Sequence, residues 1–128
     1  MDVDALAATI GGVLERGHRD VLTAYLFGST ARGTRRASSD VDLGILLAGD
    51  PPTTLQGLKL DLEGELERTL DLPVQLVVLN SASPDLVHRV LRDGILLLDR
   101  DPSARIRFET SSRREYFDVL PYLRQYRR

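Results

Sequence analysis

Four short aliphatic segments constrain the fold of this chain more than any other feature. They cover residues 21–27, 40–47, 73–79 and 95–98 and read VLTAYLF, DVDLGILL, PVQLVVL and ILLL. Runs of this length, rich in branched aliphatic side chains and bounded by glycine, proline or acidic residues, are typical of buried β-strands. Segments with apolar residues at helical spacing alternate with them. The order of elements predicts an α/β (α+β) fold, a small sheet of about four strands with helices packed on it.

The helical segments carry recognisable start and stop signals. Apolar side chains at helical spacing predict helices over residues 3–16, from about 53 to 70, from 83 to 94 and from 101 toward 126. The predicted start signals are Asp2 or Asp4, the Thr53–Gln56 capping box, Ser83–Pro84 and Asp101–Pro102. Gly94 is expected to end the third of these helices and Pro121 to bend the last.

Composition places the chain among ordinary globular proteins. Its 128 residues, 42% hydrophobic and 28% charged, predict a single domain over residues 1–128. The absence of cysteine excludes a disulfide scaffold, a thiolate zinc site and a cysteine nucleophile, and fits the reducing cytoplasm. The acidic start at Asp2 and Asp4 does not resemble a signal peptide, and no apolar run has membrane length. We therefore expect a soluble, cytoplasmic protein with no membrane partner.

Charge is distributed unevenly along the chain. The net charge of −2 argues against nucleic acid as a direct ligand. Residues 100–128 nevertheless hold 8 arginines against 4 acidic residues, whereas residues 1–99 carry a net charge of −6. The C-terminal helix, at about 101–127, is therefore Arg-rich. Two alternatives remain open: it packs on the acidic body of the protein, or it binds an acidic partner.

One stretch has the pattern of a phosphate and metal site. Gly28–Ser29 is followed, after ten residues, by Asp40–Val41–Asp42. Acidic residues two apart on a strand point to the same face, and Mg²⁺ relieves their repulsion. An isolated D-x-D is more often part of a solvated surface strand, but here it opens an apolar strand. Gly28 follows a buried strand and precedes a helix-compatible segment (residues 30–36), so backbone N–H groups could approach phosphate there.

Two longer stretches resemble a known family. GSTARGTRRASSDVDLGILL resembles the minimal nucleotidyltransferase (MNT) branch of the DNA polymerase β-type nucleotidyltransferase superfamily. VQLVVLNSASPDLVHRVLRDGILLLDRDPSARIRFE is similar to the same branch. The resemblance implies a mixed sheet with a polymerase β palm-like core. It also implies transfer of a nucleoside monophosphate, AMP from ATP in the expected case, with two Mg²⁺ ions.

The resemblance assigns roles to individual residues of this chain. It implies that Asp40 and Asp42 are the catalytic carboxylates and hold the metals. The residues that it implies for phosphate and nucleotide binding are Gly28, Ser29, Arg32 and Ser39.

The chain departs from the family pattern at a third acidic position. The family has a carboxylate in a V-D-L-V context, where this chain has Gln75 between Val74 and Leu76. An amide oxygen can coordinate a metal but cannot serve as a base. Asp71 has the right parity but lies about 13 Å away along a strand. In the alternative, the register shifts by one residue and Gln75 faces outward.

Three hypotheses about function follow from these observations. In the first, the chain is an enzyme that transfers AMP to a hydroxyl. The resemblance suggests a tyrosine of a HEPN-type toxin as acceptor, which would make the chain an antitoxin. In the second, it is a catalytically degenerate module that binds a nucleotide or a partner, because Gln75 replaces the third carboxylate. A small-molecule nucleotidyltransferase is disfavoured by the short length, and a homo-oligomer remains open.

Overall fold

The four predicted strands form a single mixed sheet. The structure, a computed structural model, describes residues 2–33, 40–49 and 55–126. The strands are β1 (Val21–Phe27), β2 (Val41–Leu47), β3 (Val74–Val78) and β4 (Ile95–Asp99), in the spatial order β3-β2-β1-β4. β1 pairs antiparallel with both β2 and β4, whereas β2 and β3 are parallel. The predicted fold class is confirmed.

Five helices accompany the sheet in the described part of the chain. They are α1 (Val3–Arg16), α2 (Gly28–Arg32), α3 (Leu55–Leu70), α4 (Pro84–Asp93) and α5 (Pro102–Tyr126), and a 3₁₀ turn (Leu79–Ser81) follows β3. In the helix-compatible segment 30–36, α2 begins earlier, at Gly28, and a left-handed Gly33 ends it, while residues 34–36 lie outside the described residues. No helix of the described ranges is long and apolar enough to cross a membrane.

Three of the predicted helix caps are present as hydrogen bonds. The Asp2 carboxylate accepts from the Ala5 N–H at 2.7 Å. Ser83 Oγ accepts from the Leu86 N–H at 3.3 Å, and Asp101 Oδ1 accepts from the Ala104 N–H at 3.1 Å. The predicted capping box at Thr53 lies outside the described residues. Short polar side chains therefore define where three helices begin.

The two faces of the sheet are covered by different helices. One face packs on α1 and α3 through a fully aliphatic core that includes alternate β2 residues, among them Val41, Leu43 and Ile45. α4 covers the other face, where its Val87 and Val90 pack with Tyr25. The first face holds the larger core. The smaller core of the second face leaves room for polar side chains near the ends of the strands.

Polar contacts connect α5 to the rest of the protein. Tyr25 Oη donates to Glu109 at 2.7 Å, and Arg105 Nε donates to Asp99 of β4 at 2.9 Å. Further along, the Tyr116 ring stacks on His88 of α4 with a centroid separation of 3.7 Å. The helix continues without a break across Pro121. The first half of α5 thus packs on the body, while four arginines lie on its exposed surface: Arg107, Arg113, Arg114 and Arg124.

Candidate functional site

Three residues from three neighbouring strands form a row across one end of the sheet. Phe27 pairs with Asp42, and Asp42 pairs with Gln75. Val74 and Leu76, which flank Gln75, are buried in the aliphatic core at 6% and 0% exposure. Gln75 therefore faces the same side as Asp42, and the alternative of a shifted register is wrong. The structure places the glutamine directly beside Asp42, where the family pattern has a carboxylate.

Gly28 joins β1 to α2 at the end of this row. Its φ is +76°, and a Cβ there would overlap the Asp42 carboxylate. Only glycine accommodates both the left-handed backbone and the close approach. The turn that carries Gly28 and Ser29 therefore lies directly against Asp42.

A cavity of about 490 Å³ opens beside the row. It is lined by β1 and α2 residues, by the exposed ends of β2 and β3 and by one face of α4: Phe27, Gly28, Ser29, Arg32, Asp42, Gln75, Val77, Leu86, Arg89 and Asp93. Five of the predicted site residues thus meet in one cavity. Asp40 is exposed just before β2 and does not line it, and Ser39 lies outside the described residues.

The environment of Asp42 favours a bound cation. Partial burial raises the pKa of the Asp42 carboxyl above its ordinary value, the charge of Asp40 raises it further, and Arg32 opposes both. A divalent cation would offset this burial and repulsion. No group of three or more histidine or acidic side chains that could hold a metal occurs within the described ranges. The Asp42 carboxylate, on which the Asp40 charge acts, and the amide oxygen of Gln75 beside it are oxygen donors of the kind that Mg²⁺ binds.

Asp71 does not supply the missing carboxylate. It lies in the turn before β3, with a φ of +55°, beside a separate shallow depression with Glu67 and Pro73. Asp71 therefore lines that depression and not the cavity beside Gln75.

Sequence reasoning missed the contribution of α4 to the cavity. Leu86, Arg89 and Asp93 recur at helical spacing, so one face of α4 contributes all three. Asp93 accepts two hydrogen bonds from Arg92, at 3.0 and 2.9 Å, and this pairing lowers the pKa of the Asp93 carboxyl. The spacing was visible in the sequence, but nothing in it indicated which face of the helix would turn toward the site.

Comparison with known proteins decides the family. Residues 10–103 match the family model described as polymerase beta, nucleotidyltransferase. The chain belongs to this nucleotidyltransferase family. The match includes the row formed by Phe27, Asp42 and Gln75, and it confirms the family that the motifs resemble.

One curated nucleotidyltransferase is similar to part of this chain. The protein adenylyltransferase MntA of Shewanella oneidensis is 39% identical over 71 residues, which are 55% of this chain and 48% of MntA. The matched segment thus spans about half the length of that relative.

Solved toxin–antitoxin structures match this nucleotidyltransferase over most of its length. A crystal structure of a toxin–antitoxin with AMP-PNP has a TM-score of 0.76 and 28% identity, and covers 93% of this chain and 92% of that chain. A tri-AMPylated Shewanella oneidensis HEPN toxin in complex with an MNT antitoxin gives a TM-score of 0.72 at 25% identity, with coverages of 96% and 92%.

Proposed function

We propose that this chain is an adenylyltransferase that transfers AMP from ATP to a tyrosine hydroxyl of a HEPN-type partner protein and so acts as an antitoxin. The observation that carries the proposal is the single cavity in which Gly28, Ser29, Arg32 and Asp42 meet. The similarity to MntA and to a complex with a tri-AMPylated HEPN toxin supports both the reaction and the acceptor. ATP and Mg²⁺ are supplied in the cytoplasm, which is the location we propose.

In the proposed reaction the acceptor oxygen attacks the α-phosphorus of ATP while the bond to pyrophosphate breaks. Gly28 and Ser29 hold the β- and γ-phosphates, and Arg32 contributes positive charge beside them. Asp40 and Asp42 would hold Mg²⁺. When bound, the metal supplies charge neutralisation on the phosphates and lowers the pKa of the attacking hydroxyl. Pyrophosphate leaves with the electron pair of the broken bond, and the proton of the attacking hydroxyl passes to solvent water, because the Gln75 amide cannot accept it.

Gln75 motivates a second candidate function. Its amide cannot take the proton of the attacking hydroxyl, and removal of a proton acceptor often slows a reaction by about 10²–10⁴-fold. The alternative is a degenerate module that binds ATP or the partner without transfer. The side chain is exposed in the cavity beside Asp42, so a carboxylate could be restored there without disturbing the core.

A transfer assay separates the two candidates. The purified chain is incubated with α-labelled ATP, Mg²⁺ and a HEPN-type protein, and the label transferred to that protein is measured. Asp42→Asn tests the site, Gln75→Asp tests the missing acid, and Asp61→Asn, on the exposed side of α3, is the matched control.

We expect the wild-type chain and Asp61→Asn to label the partner, and Asp42→Asn to lose the label. Label that depends on Gln75→Asp, with none from the wild-type chain, would establish the degenerate module. No label from any variant, together with no binding of ATP, would contradict the nucleotide-based function altogether.

A further inference from the structure

Arg89 of α4 is a charged residue of the cavity lining to which the proposed function gives no role. We propose that Arg89 is a second phosphate-binding cation, which contacts the triphosphate from α4, whereas Arg32 contacts it from α2. The inference rests on the proposed function for the nature of the ligand, a nucleoside triphosphate. It adds a residue outside the Gly-Ser and D-x-D motifs to the binding of that ligand.

The packing of α4 fixes the direction in which Arg89 points. Val90 of α4 is fully buried against the sheet beneath it. At Gly44 of β2 a Cβ would lie 3.4 Å from Val90 and 3.3 Å from Leu79, so the helix lies directly on the strand. With this apolar face fixed, Arg89 lines the cavity together with Leu86, one turn earlier.

Arg89 and Arg32 are free to bind an anion, unlike several other arginines near them. Among the described residues, neither has a hydrogen-bonded or ion-paired partner. By contrast, Arg92 is held by Asp93, and Arg105 is held by Asp99. A guanidinium that faces a cavity without a protein partner is suited to phosphate, which it binds through two parallel N–H···O bonds.

The two arginines come from different elements, and the phosphate-binding turn shares the cavity with them. Arg32 belongs to α2, directly after Gly28 and Ser29, whereas Arg89 belongs to α4. Asp93, the other acidic residue in the lining besides Asp42, is already paired with Arg92 and does not neutralise Arg89. Positive charge on two walls therefore fits a chain of phosphates better than an isolated carboxylate or a neutral sugar.

Binding measurements with two ligands test this assignment. Calorimetry with Mg²⁺ measures the affinity of the full chain for AMP-PNP and for inorganic tripolyphosphate, which has the phosphates but no nucleoside. The variants are Arg89→Met, Arg89→Lys and, as the control for loss of one positive charge, Arg107→Met on the exposed surface of α5. Thermal unfolding of each variant verifies that it is folded.

We expect Arg89→Met to weaken the binding of both ligands by about 10- to 100-fold, and Arg89→Lys to weaken it less. Arg107→Met should leave both affinities within about twofold of those of the wild-type chain. A loss confined to AMP-PNP would overturn the inference, because Arg89 would then contact the nucleoside. Unchanged affinity in Arg89→Met would also overturn it while leaving the proposed function intact. If the wild-type chain binds neither ligand, both the inference and the nucleotide-based function fail.

Discussion

At the scale of single residues, the ionised carboxylate of Asp42 is the form that the proposed metal binding needs, but it destabilises the folded protein without a ligand. Its pKa is raised by burial and by Asp40, so its ionised form is less favourable in the folded state than in the unfolded chain. The contribution of Asp42 to the stability of the fold is therefore fully present below the ordinary aspartate pKa. It is lost as pH rises through the raised pKa of the folded state.

Asp42→Asn is therefore expected to stabilise the ligand-free protein at pH 7, by about 1–4 °C in the unfolding midpoint. The gain should shrink at pH values below the ordinary aspartate pKa. The same variant should lose the stabilisation that Mg²⁺ and AMP-PNP give the wild-type chain. Thermal unfolding with and without ligand measures both effects, and a lower ligand-free midpoint for Asp42→Asn would contradict the prediction.

Gly28 and Gly33 allow backbone strain to be separated from steric overlap. Both have a φ of +76°, but a Cβ would meet Asp42 at position 28 and nothing within 4 Å at position 33. Gly33→Ala should cost about 1–2 kcal/mol of unfolding free energy from the left-handed backbone alone. Gly28→Ala should cost more, and it should also displace Asp42 and weaken AMP-PNP binding. Urea unfolding and calorimetry compare the pair, and equal losses of stability would contradict the role given to the overlap.

At the scale of elements, the Tyr25–Glu109 hydrogen bond attaches α5 to the sheet. Burial and the Glu109 carboxylate raise the pKa of the Tyr25 phenol well above its usual range. The bond therefore stabilises the fold below the ordinary tyrosine pKa of about 10, and this stability is lost as pH rises above it.

Tyr25→Phe should lower the free energy of unfolding by about 1 kcal/mol at pH 8, because one buried hydrogen bond is removed. The difference from the wild-type chain should diminish above about pH 10, since unfolded wild-type chains gain stability there by ionising Tyr25. Urea unfolding at both pH values measures it. Tyr122→Phe, at an exposed site, is the control, and a difference that grows with pH would contradict the assignment.

Arg100 connects the end of α1 and the turn after it to β1 through hydrogen bonds. Its guanidinium donates to five backbone carbonyls, those of Leu14, Glu15, Gly17, His18 and Val21. Arg100→Met should therefore cost about 2–4 kcal/mol, because several partly buried carbonyls lose their donor. Urea unfolding beside Arg107→Met provides the comparison. If Arg100→Met lost less unfolding free energy than the exposed control Arg107→Met, water would be replacing the guanidinium as the donor to these carbonyls, and the prediction would be wrong.

Local pattern in the sequence predicted the elements well but not their relative orientation. Strand alternation placed Gln75 beside Asp42, because period-two burial of Val74 and Leu76 leaves one register. The rotation of α4 that brings Arg89 to the cavity depends on Gly44, about forty residues away, and has no local signal. The bonds of Arg100, which reach residues more than 75 positions earlier, have none either.

At the scale of the whole molecule, the two halves of α5 differ in their contacts. Arg105 and Glu109 join the first half to the sheet, and Tyr116 stacks on His88. In the second half Phe117 and Tyr122 are each 65% exposed among exposed arginines. Of the two alternatives for the Arg-rich helix, packing on the body describes the part up to Tyr116, and binding of a partner by the exposed remainder stays a prediction.

Removal of residues 118–128 should leave a folded protein whose unfolding midpoint falls by a few degrees at most, whereas removal of residues 104–128 should abolish cooperative unfolding. The reason is that only the longer deletion removes the bonds of Arg105 and Glu109. Circular dichroism during heating compares the two. Loss of folding in the shorter truncation would show that the exposed half also supports the core.

The row formed by Phe27, Asp42 and Gln75 has a consequence for how this protein can change over generations. The position of Gln75 is set by strand pairing, while its side chain is exposed and supports no core packing. A glutamine codon becomes a glutamate codon through a single base change, and that exchange disturbs no core packing. Its cost in folding is the charge repulsion with Asp42, so chemical competence at this position can be gained or lost without rebuilding the core, and binding and turnover are free to evolve separately.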